Sequence, residues 1–170
     1  LENGEKPHFL AFINAHCFNI SLKDVGYYKA LSDAHFLFND GIGIKLGAKY
    51  RKIDLEENMN GTDLIPKIIE LASVLNRKVF LLGAKEGVGD MAAKNLKTKF
   101  PALQIAGVRS GYFKDNELLI SDINASGAEL LVVGMGVPNQ EKWITANLSK
   151  LQNVRIAVAV GAIIDFMSGR

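Results

Sequence analysis

Short apolar runs alternate along the chain with longer segments in which apolar residues recur every three or four positions. The short runs predict six strands, at residues 9–14, 35–38, 79–82, 104–108, 130–134 and 155–160. Several of them are apolar throughout, which is typical of parallel strands that are covered by helices on both faces. The alternation therefore predicts an α/β fold with a Rossmann-like, open and mostly parallel sheet and helices on both faces.

The longer segments predict four helices, at residues 64–75, at 88–100, around 120–123 and at 138–151. We expect Thr62 or Asp63 to cap the first of these helices. Pro66 would then lie in its first turn, where a missing N–H group costs little. The chain opens at Leu1 rather than Met and stops just after an apolar stretch, so residues 1–170 are expected to form one domain that is trimmed at both ends.

The amino-acid composition indicates which kinds of partner and which cellular compartment to expect. Apolar residues make up 48% of the chain and charged residues 22%, which is the usage of a folded globular protein. The net charge is only +2 and the basic residues are scattered, so we expect no nucleic-acid partner. Cys17 is the only cysteine, which excludes an internal disulfide and favours the cytoplasm. The longest apolar runs are too short to predict a membrane span.

Glycine and polar residues collect just after the predicted strands. Because ligands of open α/β sheets bind beyond the carboxyl ends of the strands, these exits are where a site is expected. A single glycine there is explained by the turn it makes, but six exits of this character together favour a ligand site. The exits lie at residues 14–16, 39–43, 83–87, 110–113, 134–141 and at Gly161.

A dinucleotide-binding motif, G-x-G-x-x-A, is spelled by Gly87, Gly89 and Ala92. The surrounding sequence does not fit a dinucleotide site. The motif should begin where the preceding strand ends, but that strand ends at Gly83, and Arg109 stands where an acidic residue should bind the ribose. An oxidoreductase that uses a dinucleotide is therefore kept as the alternative enzyme. No Walker A sequence is present, which excludes a P-loop ATPase.

The chain offers few metal ligands. His16 and Cys17 are adjacent, and His8 and His35 lie elsewhere, so none of them matches the spacing of a zinc site. We expect His16 to be a polar residue of its loop. No Asp-x-Asp pair occurs, so a diphosphate would be met by backbone N–H groups, helix dipoles and side chains, with no metal or other cofactor.

Asp40 is the candidate catalytic carboxylate. It follows an apolar strand and precedes Gly41, which places it at the carboxyl edge of the sheet rather than on a helix face. A partly buried carboxylate at such an edge is suited to act as a general base. The alternative is that Asp40 caps the next helix. Asp165 has a similar apolar neighbourhood, and we expect it to form hydrogen bonds in the core.

Blocks along nearly the whole chain resemble one family of enzymes. The blocks are residues 14–15, 39–43, 61–64, 82–88, 111–113, 136–143 and 161–166. In this order they are similar to the WecG/TagA/CpsF glycosyltransferases, and the Pro-x-Gln-Glu-Lys-Trp block at 138–143 is the most specific of them.

The resemblance implies an inverting, metal-independent glycosyltransferase. Enzymes of this family move a sugar, often N-acetylmannosamine, from a UDP-sugar to a sugar carried on a polyprenyl diphosphate, in the synthesis of teichoic acids or exopolysaccharides. The expected partners are a UDP-sugar donor and a lipid-linked sugar acceptor at the membrane surface, and a homo-oligomer is compatible with the sequence. The expected location is the cytoplasm, peripheral to the inner face of the cell membrane.

The resemblance also implies roles for particular residues. Asp40 matches the catalytic base, and Gln140 and Glu141 match a polar pair that lines the nucleotide-sugar pocket. The expected substrate-binding residues are Asn14, Gly41, Asp63, Gly83, Ala84, Gly111, Tyr112, Gly136, Pro138, Gln140 and Glu141.

Two positions depart from the family pattern. Phe12 stands where many members have threonine, and Asn58 where many have arginine. Family members also continue beyond the position of Arg170 into a basic segment that helps to close the site and meets the membrane, and we expect this segment to be missing. These departures support a third alternative, a domain that binds a nucleotide-sugar without catalysis.

Overall fold

The computed structural model describes residues 7–55 and 59–169, and within them six strands form one sheet in which all neighbours are parallel. The strands are β1 (His8–Ile13), β2 (Phe36–Asn39), β3 (Lys78–Gly83), β4 (Gln104–Arg109), β5 (Leu130–Gly134) and β6 (Ile156–Ala159). Their order across the sheet is β2-β1-β6-β5-β3-β4. All six predicted strands are confirmed, each to within one residue at either end.

The described residues also form eight α-helices. These are α1 (Ala15–Ser21), α2 (Val25–Ser32), α3 (Ile42–Tyr50), α4 (Gly61–Val74), α5 (Val88–Lys99), α6 (Asn116–Ser126), α7 (Asn139–Asn147) and α8 (Ile163–Met167). The buried core residues of α1, α2, α6 and α7 pack on one face of the sheet, and those of α4, α5 and α8 pack on the other. The predicted Rossmann-like α/β fold is therefore confirmed. In the described ranges no helix is both long enough and apolar enough to cross a membrane.

Alternate residues of the central strands contribute to two separate cores. In β3, Phe80 and Leu82 pack in one core while Val79 and Leu81 pack in the other, and all four side chains are buried. Successive side chains of a strand point to opposite faces, so a strand that is covered on both sides is apolar at every position. This explains the continuous apolar runs in the sequence.

The predicted start of α4 is wrong. Neither Thr62 nor Asp63 caps the helix, because Asn60 is the N-cap and its carbonyl oxygen accepts a hydrogen bond from the N–H group of Asp63. A Cβ atom added at Gly61 would lie 3.3 Å from a side chain of α8, so glycine allows the helix to begin in this tight space. Pro66 consequently lies inside the helix, beyond the first turn.

The carboxyl ends of β3, β5 and β6 approach one another so closely that they need glycine. A Cβ atom added at Gly83 would lie 2.3 Å from the carbonyl oxygen of Gly134, and one added at Gly134 would lie 2.8 Å from that of Gly161. Gly83 also has a φ of +149°, a conformation that strains a residue with a side chain. The backbone itself therefore requires these glycines, whatever ligand the loops bind.

We expect Gly83→Ala to destabilise the protein by roughly 3 kcal/mol, because the added methyl group overlaps the Gly134 carbonyl and the backbone is strained. Gly47→Ala is the matched control, since nothing lies within 4 Å of its added Cβ atom and alanine favours the helix. Urea unfolding of both variants and the parent protein measures the two changes. Equal stability of Gly83→Ala and the parent would contradict the close packing of β3 on β5.

Candidate functional site

Neighbouring strands lead to helices on opposite faces of the sheet, and this opens crevices at its carboxyl edge. β1 and β5 lead to α1 and α7 on one face, whereas β6 and β3 lead to α8 and α5 on the other. The order β1-β6-β5-β3 therefore alternates between the two faces. Ligands of open α/β sheets bind in crevices of this kind.

A cavity of about 200 Å³, here called the small cavity, lies where β1, β2, β5 and β6 end and α4 begins. It is lined by Phe12, Asn14, Cys17, Asp40, Gly61, Thr62, Val137, Gln140, Glu141, Ala159, Val160, Gly161, Ala162 and Ile163. The fold thus brings four predicted site residues, Asn14, Asp40, Gln140 and Glu141, into one space. They come from three separate strand exits.

Asp40 stands directly after β2, partly exposed to solvent. Its backbone N–H group donates to the carbonyl oxygen of Ile13 (2.8 Å), which holds it beside the end of β1. The alternative that Asp40 caps α3 is wrong, because the N-cap is Gly41 and no side chain caps this helix. Among the described residues, none donates a hydrogen bond to the Asp40 carboxylate. The carboxylate is therefore available to a ligand in the small cavity.

β1 contributes Asn14 and Phe12 to the same space. The side-chain oxygen of Asn14 accepts a hydrogen bond from the N–H group of Cys17 (3.0 Å) and so caps α1. Phe12 packs against Phe38 with ring centroids 5.7 Å apart. The wall is consequently apolar at the position where the resemblance leads us to expect a threonine hydroxyl. Asn58, the other departure, lies outside the described residues.

Gln140 joins the loops that follow β5 and β6. Its side-chain oxygen accepts hydrogen bonds from the backbone N–H groups of Gly136 (3.2 Å) and Gly161 (3.0 Å). Its side-chain nitrogen donates to Oε1 of Glu141 (2.8 Å). These bonds determine which end of the amide faces which neighbour, so Gln140 holds both loops at a set separation.

Glu141 is a buried carboxyl group with one oxygen left open. The residue is 1% exposed, and among the described residues its Oε2 atom has no hydrogen-bond partner. Burial raises the pKa of Glu141 to about 7, although the hydrogen bond from Gln140 acts in the opposite direction. Near neutral pH this carboxyl group is therefore divided between its neutral and charged forms.

The next two residues of the same block fix α7 against other helices. The ammonium group of Lys142 forms an ion pair with Asp24 (2.5 Å) at the start of α2, and this hydrogen bond lowers the pKa of Asp24. The indole N–H group of Trp143 donates to the side-chain oxygen of Asn116 (2.7 Å) in α6. The block thus orients α7, which carries Gln140 and Glu141.

A second cavity of about 640 Å³, here called the large cavity, lies beyond the ends of β3, β5 and β6. It is lined by Ala84, Lys85, Gly111, Tyr112, Phe113, Gly134, Met135, Gly136, Asn139, Lys142, Trp143, Gly161 and Asp165. Phe113 and Trp143 meet edge to face, with ring centroids 6.2 Å apart. Gly161 lines both cavities, so the two spaces adjoin.

The predicted substrate-binding residues divide into three groups. Asn14, Gln140 and Glu141 line the small cavity, and Ala84, Gly111, Tyr112 and Gly136 line the large one. Gly41, Asp63, Gly83 and Pro138 line neither of these two cavities. Gly83 lines an adjacent space of about 390 Å³, Pro138 is the N-cap of α7, and Asp63 is exposed in the first turn of α4. A role in binding stays a prediction for all of them.

Three charged residues of the large cavity, Lys85, Lys142 and Asp165, were not predicted as site residues. Asp165 was expected to form hydrogen bonds in the core, but it lines the large cavity, and no described residue donates to its carboxylate. That expectation is wrong because Asp165 lies in the first turn of α8, which begins at the carboxyl edge. Lys85 follows the β3 exit and lines the same cavity. Its position in the 83–87 loop was the signal available in the sequence.

The geometry does not support the alternative of an oxidoreductase that binds a dinucleotide. Gly87 forms the left-handed turn before α5, and a Cβ atom added at Gly89 would lie 2.5 Å from Val108, so packing accounts for both glycines. Arg109, at the end of the next strand, forms an ion pair with Asp122. Across residues 7–55 and 59–169, no three histidine, cysteine or acidic residues are grouped so that they could hold a metal ion.

The chain is similar in sequence to known glycosyltransferases. The model of the Glycosyl transferase WecG/TagA/CpsF family matches residues 1–170. The chain is 27% identical over 160 residues to the N-acetylglucosaminyldiphosphoundecaprenol N-acetyl-beta-D-mannosaminyltransferase of Bacillus subtilis (strain 168), covering 94% of this chain and 62% of the relative. Enzymes of the same name from Bacillus spizizenii and Staphylococcus aureus (strain MRSA252) are 30% and 26% identical, over 96% and 95% of this chain and 63% of each relative.

The chain thus spans somewhat less than two thirds of the length of these curated relatives. The family model nevertheless covers it from end to end. On this match, the chain belongs to the WecG/TagA/CpsF family of glycosyl transferases.

Proposed function

We propose that this protein is an inverting glycosyltransferase that moves a sugar from a UDP-sugar to an acceptor sugar carried on undecaprenyl diphosphate. The observation that carries the proposal is the available carboxylate of Asp40 in the small cavity, which adjoins the large cavity at Gly161. Membership of the family supports sugar transfer, and the names of the relatives support a lipid-linked acceptor and N-acetylmannosamine as the donor sugar.

In the proposed reaction, the acceptor hydroxyl attacks the anomeric carbon of the donor sugar from the side opposite to UDP. A bond forms between the acceptor oxygen and this carbon while the bond from the carbon to the UDP oxygen breaks, so the configuration inverts. Asp40 takes the proton of the acceptor hydroxyl, and the electron pair of the broken bond leaves with UDP. The reaction needs one base and a site that stabilises the departing diphosphate.

We place the nucleotide in the large cavity and the reacting sugar in the small one. The volume of about 640 Å³ suits a ligand of nucleotide size. Tyr112, Phe113 and Trp143 offer aromatic surface on which a uracil ring can pack. The Lys85 ammonium group and the backbone N–H groups of the glycine loops can meet the diphosphate charge. This arrangement directs the anomeric carbon toward Asp40.

Glu141 has a place in the same proposal. Its Oε1 atom accepts from Gln140, while its Oε2 atom has no partner among the described residues. When the carboxyl group is neutral, Oε2 can donate a hydrogen bond to a sugar hydroxyl in the small cavity. We propose that Glu141 binds the sugar and that Gln140 positions the loops around it.

A second candidate function is a domain that binds a nucleotide-sugar without catalysis. Phe12 favours it, because the ring fills part of the small cavity wall where many family members carry threonine. The two candidates share the nucleotide site and differ only in turnover. Sugar transfer by the intact protein therefore decides between them.

Asp40→Asn is expected to lower kcat by about 10²-fold or more, because the amide occupies the same volume but cannot accept the acceptor's proton. UDP affinity and the melting temperature should stay close to those of the parent. The matched control is Asp33→Asn, which removes an exposed carboxylate paired with Lys29 at the end of α2. The measurement is the transfer of radiolabelled sugar by the intact protein. A parental kcat in Asp40→Asn would show that Asp40 is not the catalytic base.

Transfer is expected to survive removal of divalent cations, because Lys85 and backbone N–H groups are proposed to stabilise the diphosphate without a metal. The measurement is the initial rate of transfer after EDTA treatment, with and without added Mg²⁺ or Mn²⁺. Loss of activity in EDTA that either cation restores would show that this account of the diphosphate is wrong.

The free energy of unfolding is expected to fall by on the order of 3 kcal/mol as the pH rises from about 4.5 to above 7. The pKa of Glu141 is about 7 in the folded protein and about 4.5 when the chain is unfolded, so the folded state holds the proton more tightly. This stability is present below pH 4.5 and is lost as the pH passes through 7.

Glu141→Gln should remove this pH dependence, because the amide stays neutral and can still accept from Gln140. Urea unfolding of both proteins at a series of pH values from 4.5 to 8 makes the comparison. Glu117→Gln is the control, since that carboxyl group is exposed and paired with Lys150. The same slope in Glu141→Gln and the parent would assign the pH dependence to other groups.

A further inference from the structure

Helix α3 presents an apolar stripe to solvent. Ile42, Leu46 and Tyr50 follow one another at intervals of four residues, so they share one side of the helix. Their exposed fractions are 68%, 60% and 87%, and no residue of α3 is buried. Ile44 and Ala48, on the opposite side, are partly buried and face the rest of the protein. The apolar stripe is therefore turned away from the protein body.

Basic residues border this stripe. Lys45 and Lys49 directly precede Leu46 and Tyr50 in the sequence. Arg51 and Lys52 directly follow the helix. α3 contains no acidic residue, and in the part of the chain that the structure describes, none of these four cations forms an ion pair. Lys45, Lys49 and Lys52 line a shallow space of about 380 Å³, which Asp54 also lines.

Asp40 lies two residues before α3, and the other acidic residues close to the helix in the sequence follow it. Asp54, Glu56 and Glu57 follow the basic residues, and the two glutamates lie outside the described residues. The helix and the two residues after it therefore form a separate positive block. An apolar stripe beside unpaired lysines is the pattern of a helix that lies flat in the interface of an anionic membrane.

The position of α3 links this surface to the proposed reaction. The helix begins two residues after Asp40, so its first turn stands beside the small cavity. A second apolar surface, formed by Leu71 and Val74 of α4 and by the C-cap residue Leu75, borders the first residues of β5 and β6 at the opposite edge of the sheet. Of these two surfaces, the one on α3 would bring Asp40 to the level of lipid headgroups.

We propose that α3 is a membrane-binding helix, which inserts Ile42, Leu46 and Tyr50 into an anionic phospholipid surface while Lys45 and Lys49 contact the headgroups. The orientation it gives to Asp40 rests on the proposed function, because it assumes an acceptor held in the membrane. Binding to lipid does not rest on it. Vesicle binding is measured without donor or acceptor, so it can fail or succeed independently of sugar transfer.

The test is cosedimentation with vesicles of phosphatidylcholine, with and without phosphatidylglycerol as the anionic lipid. The parent protein should bind only the vesicles that contain phosphatidylglycerol. Ile42→Ser combined with Leu46→Ser should weaken binding at least about tenfold, because it removes buried apolar area. Lys45→Gln combined with Lys49→Gln should weaken it roughly 25-fold, since each cation near an anionic surface contributes about a factor of five.

Matched controls test whether vesicle binding depends on the α3 surface or on any exposed apolar or basic residues. Leu71→Ser combined with Val74→Ser changes the exposed face of α4, and Lys94→Gln combined with Lys97→Gln removes two exposed lysines of α5. Both control variants should bind like the parent. Circular dichroism should show that all four variants keep the parental fold, which is expected because every changed residue is exposed.

A fluorescent reporter places the contact on α3. Tyr50→Trp should show a blue shift and quenching by brominated lipids on anionic vesicles, whereas Leu75→Trp, directly after α4, should show neither. Equal binding to both vesicle types, or equal loss in the α3 and α4 variants, would overturn the proposal. It would also be overturned if the α3 substitutions left vesicle binding unchanged and instead converted a dimer to a monomer in sedimentation equilibrium.

Discussion

The side-chain amide of Gln140 is the interaction on which the geometry of the carboxyl edge depends. Its oxygen accepts from the N–H groups of Gly136 and Gly161, and its nitrogen donates to Glu141. One neutral side chain thereby links the loops after β5 and β6 and satisfies part of a buried carboxyl group. Because buried polar groups are costly when unpaired, loss of this amide would affect both loops and the carboxyl together.

Most side chains of the Pro-x-Gln-Glu-Lys-Trp block therefore serve to position α7. Lys142 reaches Asp24 in α2 and Trp143 reaches Asn116 in α6, so the helix is held from two sides. The buried side-chain atom of this block that lacks a partner within the described residues is Oε2 of Glu141. Buried polar atoms usually have hydrogen-bond partners, so a single unpaired oxygen among hydrogen-bonded neighbours is a candidate for binding a polar ligand.

The composition of the strand exits predicted where a site should lie, and the position of Asp40 at one exit marked it as a candidate. The resemblance to the family added Asn14, Gln140 and Glu141, and all four residues share the small cavity. Asp165 was misassigned, because an acidic residue in an apolar stretch looks the same whether it is buried in a core or faces a crevice. Gly83 was predicted to approach a ligand, yet it is required by contact with the next strand. Neither distinction is local, since each depends on residues far away in the chain.

The sequence by itself determined the strands, the parallel α/β class and the edge at which a ligand is expected to bind. These follow from the short continuous apolar runs and the three-to-four-residue period of apolar positions, which are local properties of the chain. Only the tertiary structure decided which exits form which cavity, which glycines serve packing, and that α3 leaves its apolar stripe in solvent. The physical reason is that burial, hydrogen-bond pairing and a raised pKa such as that of Glu141 arise between elements distant in sequence, and the order of strands across the sheet sets those neighbours.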